Sequence, residues 1–238
     1  MTKMPNEARD KMLYAALCLF STKGLKETSV LEIVERARVS KTTFYQHFKG
    51  KEELLVSLCR QLAEEIIEEI ERAIEPEQSI TAKAYAGICR YIKICTTRKM
   101  ASHLLLVSSV GISGAVENIR RDAHQRLARL IFQTVHKAVS TQVSDQEIRI
   151  VSQAMIGAIN EVVVQSLMES DREIRYEQLA RTLNQIVVGS FVNLVSKEKA
   201  VAGRRFRDPD HFISKQEWED EHAEGRPRLQ PGGNLGKY

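Results

Sequence analysis

The chain has 238 residues, 43% of them hydrophobic, and its 35 Lys and Arg against 31 Asp and Glu leave a net charge of +4. It can bury one or two cores, no apolar run is expected to reach the length of a membrane span, and Met1 to Arg9 is too polar for a signal peptide. The four cysteines, Cys18, Cys59, Cys89 and Cys95, lack paired metal-ligand spacing. They read as reduced core thiols, so a cytoplasmic protein without metal or cofactor is expected.

The apolar series Leu13, Ala16, Leu17 and Phe20 predicts a first helix that stops at Gly24 and Leu25. Ser29 and Glu32 have the spacing of a capping box, which starts a helix running to about Ala37. Ser40 offers an N-cap for another helix over about Lys41 to Phe48. Two short helices joined by Arg38 and Val39 form a helix-turn-helix over about residues 29–48. Phe44 and Phe48 share one side of the second helix, leaving Thr42, Thr43, Tyr45 and Gln46 pointing broadly the other way with Lys41 on the flank. These polar side chains suit the edges of bases. Tyr45, His47, Lys49 and Lys51 suit phosphates, as do the free N–H groups of a helix starting near Lys51. The candidate DNA-binding set is therefore Ser29, Lys41, Thr42, Thr43, Tyr45, Gln46, His47 and Lys51.

The run V-S-K-T-T-F-Y-Q-H-F-K-G-K at Val39 to Lys51 closely resembles the recognition helix of the tetracycline-repressor (TetR) family of bacterial transcription regulators. The first helix is similar too, and the resemblance covers about the first fifty-five residues. It implies a three-helix reading head on an all-α ligand-binding and dimerisation domain. Arg38 departs from the family's usual Gly before Val-Ser, at a left-handed turn that a non-Gly residue tolerates poorly.

Charge is unevenly distributed along the chain. Residues 1–51 carry ten Lys and Arg against five acids, and residues 52–80 carry two against nine. A basic head on an acidic stem would orient the head toward DNA. The stem is predicted as one long helix from about Lys51 to Glu75, with Leu54, Leu58, Leu62, Ile66, Ile70 and Ile74 recurring every four residues before Pro76. Further helices are expected over about Thr81 to Arg98, Ala101 to Ser108, Gly114 to Ser140, Asp145 to Glu169 and Glu173 to Lys197. The division expected is 1–51 for DNA binding, 52–78 as the connecting helix, 79–199 for ligand binding and dimerisation, and 200–238 as a tail. That tail, with a short helix near Ser214 to Glu224, would be anchored by Phe206, Phe212 and Trp218.

Small residues on the last two helices, set among many branched apolar ones, suggest a two-fold homodimer contact through Ala154, Gly157, Ala158, Ile186, Gly189, Ser190 and Asn193. The middle helices are expected to wall an effector pocket with Ile88, Tyr91, Ile92, Cys95, Leu104, Leu105, Leu127, Leu130, Ile131 and Met155, though each suits plain core equally. Residues 81–143 carry ten Lys and Arg against two acids, which would favour an anionic effector with an apolar portion, such as an acyl thioester. The expected function is a dimeric repressor released from an inverted-repeat, double-stranded DNA operator by a small molecule, with no membrane partner. The alternative is a helical enzyme or carrier with an inert helix-turn-helix scaffold, but no nucleophile-base pair, carboxylate pair or phosphate-cradling loop has usable spacing.

Overall fold

The computed structural model describes residues 5–139, 143–168 and 176–201. Every regular element among them is helical. The architecture is that of the compact unit Met1–Glu198.

Helices α1 (Ala8–Glu27), α2 (Val30–Ala37) and α3 (Lys41–His47) form the head. Their boundaries follow from short-range chemistry. The Glu32 amide donates to Ser29 Oγ at 3.2 Å while the Glu32 carboxylate accepts from the Ser29 amide at 2.8 Å, completing the capping box. Ser40 Oγ accepts from the Thr43 amide at 3.0 Å and starts α3. Between them Arg38 sits at φ 54°, ψ 48°, and the amides of Arg38 and Val39 close back onto Glu35 and Val34. The left-handed turn thus forms with arginine in place of glycine, at a cost on the order of 1 kcal/mol. Gly24, at φ 81°, breaks α1 before its last turn, and there glycine is needed.

Helix α4 (Lys51–Ile74) is the axis of the molecule. Its N-terminal half packs Leu54, Leu55, Leu58 and Cys59 under the head against Met12, Phe20, Ile33, Phe44 and Phe48. Its C-terminal half lies against α5 (Ile80–Thr97) and α7 (Gly114–Val139). Gly87 lets α5 approach closely, since a Cβ there would stand 3.2 Å from Ile74 Cγ2. Helix α6 (Lys99–His103) continues into a π turn over Leu104–Ser108, where a single helix was expected from Ala101 to Ser108. The Ser21 hydroxyl of α1 reaches the Met100 carbonyl at 3.5 Å, so this short segment touches the head.

Helices α8 (Asp145–Met168) and α9 (Tyr176–Val201) complete the unit. The last helix runs past its expected end at Lys197. Among the described residues α8 alone is long and apolar enough to meet the dimensions of a membrane span, contrary to the sequence expectation. The reason is that from Ile150 to Leu167 its only charge is Glu161. Ile148, Ile159 and Val163 of α8 and Ala180, Leu183, Val187 and Phe191 of α9 are buried in the same continuous core as Met12 and Phe44. The expected tail anchors Phe206, Phe212 and Trp218, and the short helix near Ser214 to Glu224, lie outside the described residues.

One ionic cluster fastens α4 to the elements beside it. The Glu69 side chain, 9% exposed, takes Arg90 on one oxygen and Arg98 at 2.5 Å on the other, while Arg98 also reaches Glu65 at 3.2 Å. The arginines are 37% and 46% exposed and can return to water, whereas the carboxylate cannot. Removing both arginines should therefore cost more than removing the acid. Arg90→Ala with Arg98→Ala is expected to lower unfolding free energy in urea by about 3 kcal/mol, and Glu69→Leu by clearly less.

Candidate nucleic-acid interface and ligand cavity

Helix α3 is held from beneath by Phe44 and Phe48, both buried, with ring centroids 5.8 Å apart. That anchoring turns Lys41, Thr42, Tyr45, Gln46 and His47 to solvent, with Tyr45 58% exposed and its ring edge-on to Phe44. Exposed polar side chains on a short helix anchored from its other side are what a groove-reading helix presents. Three members of the expected set are otherwise engaged. The Thr43 hydroxyl lies 2.8 Å from Ser40 Oγ, and the Ser29 hydroxyl is part of the capping box.

Lys51, expected at a phosphate, is engaged within the chain. Its ammonium donates to the carbonyls of Leu25, Lys26 and Thr28 at 2.8, 2.9 and 2.9 Å, closing the frayed end of α1 beyond Gly24. It is a clamp between α1 and α4 rather than a free phosphate contact. Lys23 on α1 pairs with Glu32, and this bond and the Ser29 cap together hold the Glu32 carboxyl down at about 2.

Between α4, α5, α7, α8 and α9 lies a cavity of about 420 Å³, within the range of small-molecule sites. Of the expected wall residues Ile88, Tyr91, Leu105, Leu127, Leu130 and Ile131 border it. Ile92, Cys95 and Leu104 do not, being packed in solid core, where burial raises the Cys95 thiol to about 11. Met155 also falls away from the cavity, beside Ser190 at 3.6 Å. The α4 wall of Ile66, Ile67, Ile70 and Ile74 was not anticipated, although its four-residue repeat was visible.

At one end of the cavity, polar groups from three helices converge. The buried Tyr91 hydroxyl donates to Asn160 Oδ1 at 2.8 Å, and His124 stands beside the same amide. Burial, together with the nearby Arg120 cation, pushes His124 below its ordinary value and leaves the imidazole neutral near pH 7. Arg120 donates to the Leu105 and Leu106 carbonyls at 3.1 and 3.2 Å, satisfying backbone acceptors of the π turn that forms this end of the wall. A lone Asn inside an apolar helix was the sequence signal that could have found Asn160.

The residues expected at a partner surface do not meet one another in a buried contact within the chain. Ala154, Gly157, Ala158 and Asn193 are exposed, Ile186 is half exposed, and Gly189 and Ser190 are partly buried. Ile150, Val162, Met168 and Val192 extend the same apolar exposure along α8 and α9.

Residues 12–58 match the family model for bacterial regulatory proteins of the tetR family. The chain is 41% identical over 54 residues to the uncharacterized HTH-type regulator YerO of Bacillus subtilis, covering 23% of this chain and 19% of that one. It is 25% identical over 133 residues to the HTH-type transcriptional regulator HbdR of Aromatoleum, covering 56% and 58%. Both alignments span less than two thirds of the relative's length. The fold matches that of the transcriptional regulator FadR from Bacillus subtilis in complex with stearoyl-CoA at a TM-score of 0.66, with 17% identity over 76% of this chain and 97% of that one.

Two outcomes follow for the head. Lys51→Met should destabilise it by about 2 kcal/mol in thermal or urea unfolding while leaving the salt slope of DNA affinity unchanged, because the ammonium is already bound to carbonyls. Glu32 contributes stability above its ordinary value of 4.5 that is lost as pH falls toward about 2. The stability difference between wild type and Glu32→Gln, measured by denaturation across that window, should be full at neutral pH and vanish at its acid end.

Proposed function

From the match of residues 12–58 to the model for bacterial regulatory proteins of the tetR family, we propose that this chain is a regulator of that family and works as a homodimeric repressor that a small molecule releases from an inverted-repeat operator. The observation that carries the reading is α3 itself. Lys41, Thr42, Tyr45 and Gln46 stand free on a short helix whose opposite side is locked into the core, the arrangement a groove-reading helix requires. The head, residues 1–51, holds net +5 and the following 52–80 net −7, which favours approach to DNA by the head.

Dimerisation is supported by the exposed side of α8 and α9. Apolar exposure along two neighbouring helices, with Gly157 and Ala158 among it, suits close helix packing against a second copy. Two heads related by a two-fold axis then match two half-sites. The division into a head, the connecting α4 and a ligand and dimer domain fits this scheme. The protein would act where its DNA is, in the cytoplasm.

The effector reading rests on the cavity. Its wall is almost wholly aliphatic and runs along α4 from Ala63 to Ile74, roughly 16 Å at the helical rise. An elongated apolar molecule fits that shape, and the structural likeness to a regulator holding stearoyl-CoA points the same way. Lys83 at the far end and the basic excess of residues 81–143 would suit an anionic portion. Occupancy would then shift the dimer between head spacings that fit adjacent major grooves and ones that do not.

Selection of bound duplexes from a random pool tests the proposal. An inverted repeat should be enriched, with affinity falling steeply as salt rises. Gln46→Ala should cost about 1 to 3 kcal/mol at one base position in each half-site, and Ile186→Glu should yield monomers in sedimentation and abolish tight binding. Enrichment of no sequence, or tight binding by a monomer, would overturn it.

A further inference from the structure

The cavity wall is mostly apolar, and the side chains that converge at the Tyr91 end, Tyr91, His124 and Asn160, can select among apolar ligands. We infer that the effector carries a hydrogen-bond-accepting oxygen, a ketone or carboxyl oxygen, at the end that meets Tyr91, and that the Asn160 amide, oriented by Tyr91 and His124, receives it. This rests on the reading of the cavity as the effector site and adds the ligand's chemistry and orientation.

The hydrogen bond from Tyr91 occupies Asn160 Oδ1. Tyr91 itself is 7% exposed and borders the cavity with Asn160 and His124. With its oxygen taken, the Asn160 amide offers its two N–H bonds to whatever fills the space. His124, held neutral, has a single N–H and is hydrogen-bonded to the Asn160 side chain, so it orients the amide that faces the ligand. The charged groups facing this corner are Arg120, fixed on the Leu105 and Leu106 carbonyls, and Glu117, 3.8 Å from the Arg120 Nε. The corner therefore offers amide N–H near a fixed cation and favours a ligand oxygen over a methyl group.

A ligand entering tail first would press a methyl group on Asn160 and His124, removing their water and returning no hydrogen bond. Partly buried polar groups cut off from their water by the ligand are costly, and sites built around them disfavour analogues that lack the matching atom. An oxygen at the buried end restores the bond. From Tyr91 back to Lys83 is about 12 Å along α5, and the walls between are Ile88, Gly87, Ala84 and the isoleucines of α4. They ask only for an apolar body.

The test is displacement of cavity-bound anilinonaphthalene sulfonate from the full-length protein by decan-2-one and by decane, in wild type, Asn160→Leu and Asn160→Asp. Comparing the ratio of ketone to alkane affinity between wild type and variant cancels the difference in the ligands' transfer from water. That ratio is expected to fall about tenfold, equivalent to about 1.4 kcal/mol, in both variants, with thermal melting showing that each is folded. Leucine removes the donor, and aspartate replaces it with an acceptor, so agreement between them identifies the N–H group. An unchanged ratio in both variants, with both ligands still bound, overturns the inference and leaves the cavity reading intact. Failure of both ligands to displace the dye from wild type overturns the two together.

Discussion

Helix α4 is buried twice. Leu54, Leu55 and Leu58 belong to the core beneath the reading head, and Ile66, Ile70 and Ile74 form one wall of the cavity. Because one continuous helix provides both surfaces, the head and the cavity are not separate bodies joined by a linker, and the apolar core runs unbroken from Met12 to Phe191. Close-packed interiors transmit displacement rather than absorbing it. A shift at Ile70 must be taken up by α4 as a whole or by its neighbours, and α4 is clamped to those neighbours at two places. Lys51 ties its beginning to the carbonyls of α1, and Glu69 ties its middle to Arg90 and Arg98.

The π turn adds a second contact between cavity and head. Leu105 and Leu106 face the cavity, and α6 just before them meets α1 through Ser21 and Met100. The turn's carbonyls are held by Arg120, a neighbour of His124 on α7. The polar end of the cavity thus lies one helical turn from the arginine that fixes the segment touching the head. A ligand that engages Asn160 and His124 acts next to that junction rather than at the remote aliphatic end.

Much of the fold was legible because it is governed by short-range rules. Ser29, Ser40, Ser79 and Ser144 each accept from an amide three residues on, and each marks a helix start. The motif from Val39 to Lys51 marked out α3, with Phe44 and Phe48 buried as their spacing required. What the sequence concealed depends on distant partners. Lys51 looks like any basic residue near DNA until the chain brings the end of α1, some two dozen residues earlier, against it. Ile92 and Tyr91 are adjacent, yet a 100° step places one in solid core and the other on the cavity. Cys95 and Leu104 were indistinguishable from wall residues by type alone. Thr43 and Gln46 both read as groove donors, and only the structure shows the Thr43 hydroxyl already bonded to Ser40.

The central claim is that α4 makes the head and cavity one cooperative unit. Native-state hydrogen exchange on an Ile70→Ala variant, which truncates a buried side chain on the cavity side of α4, tests it most directly. The account predicts that protection falls by the same free energy in the amides of α1 and α2 as in those of α7. Loss of protection confined to α5 and α7, with the head unchanged, would contradict it.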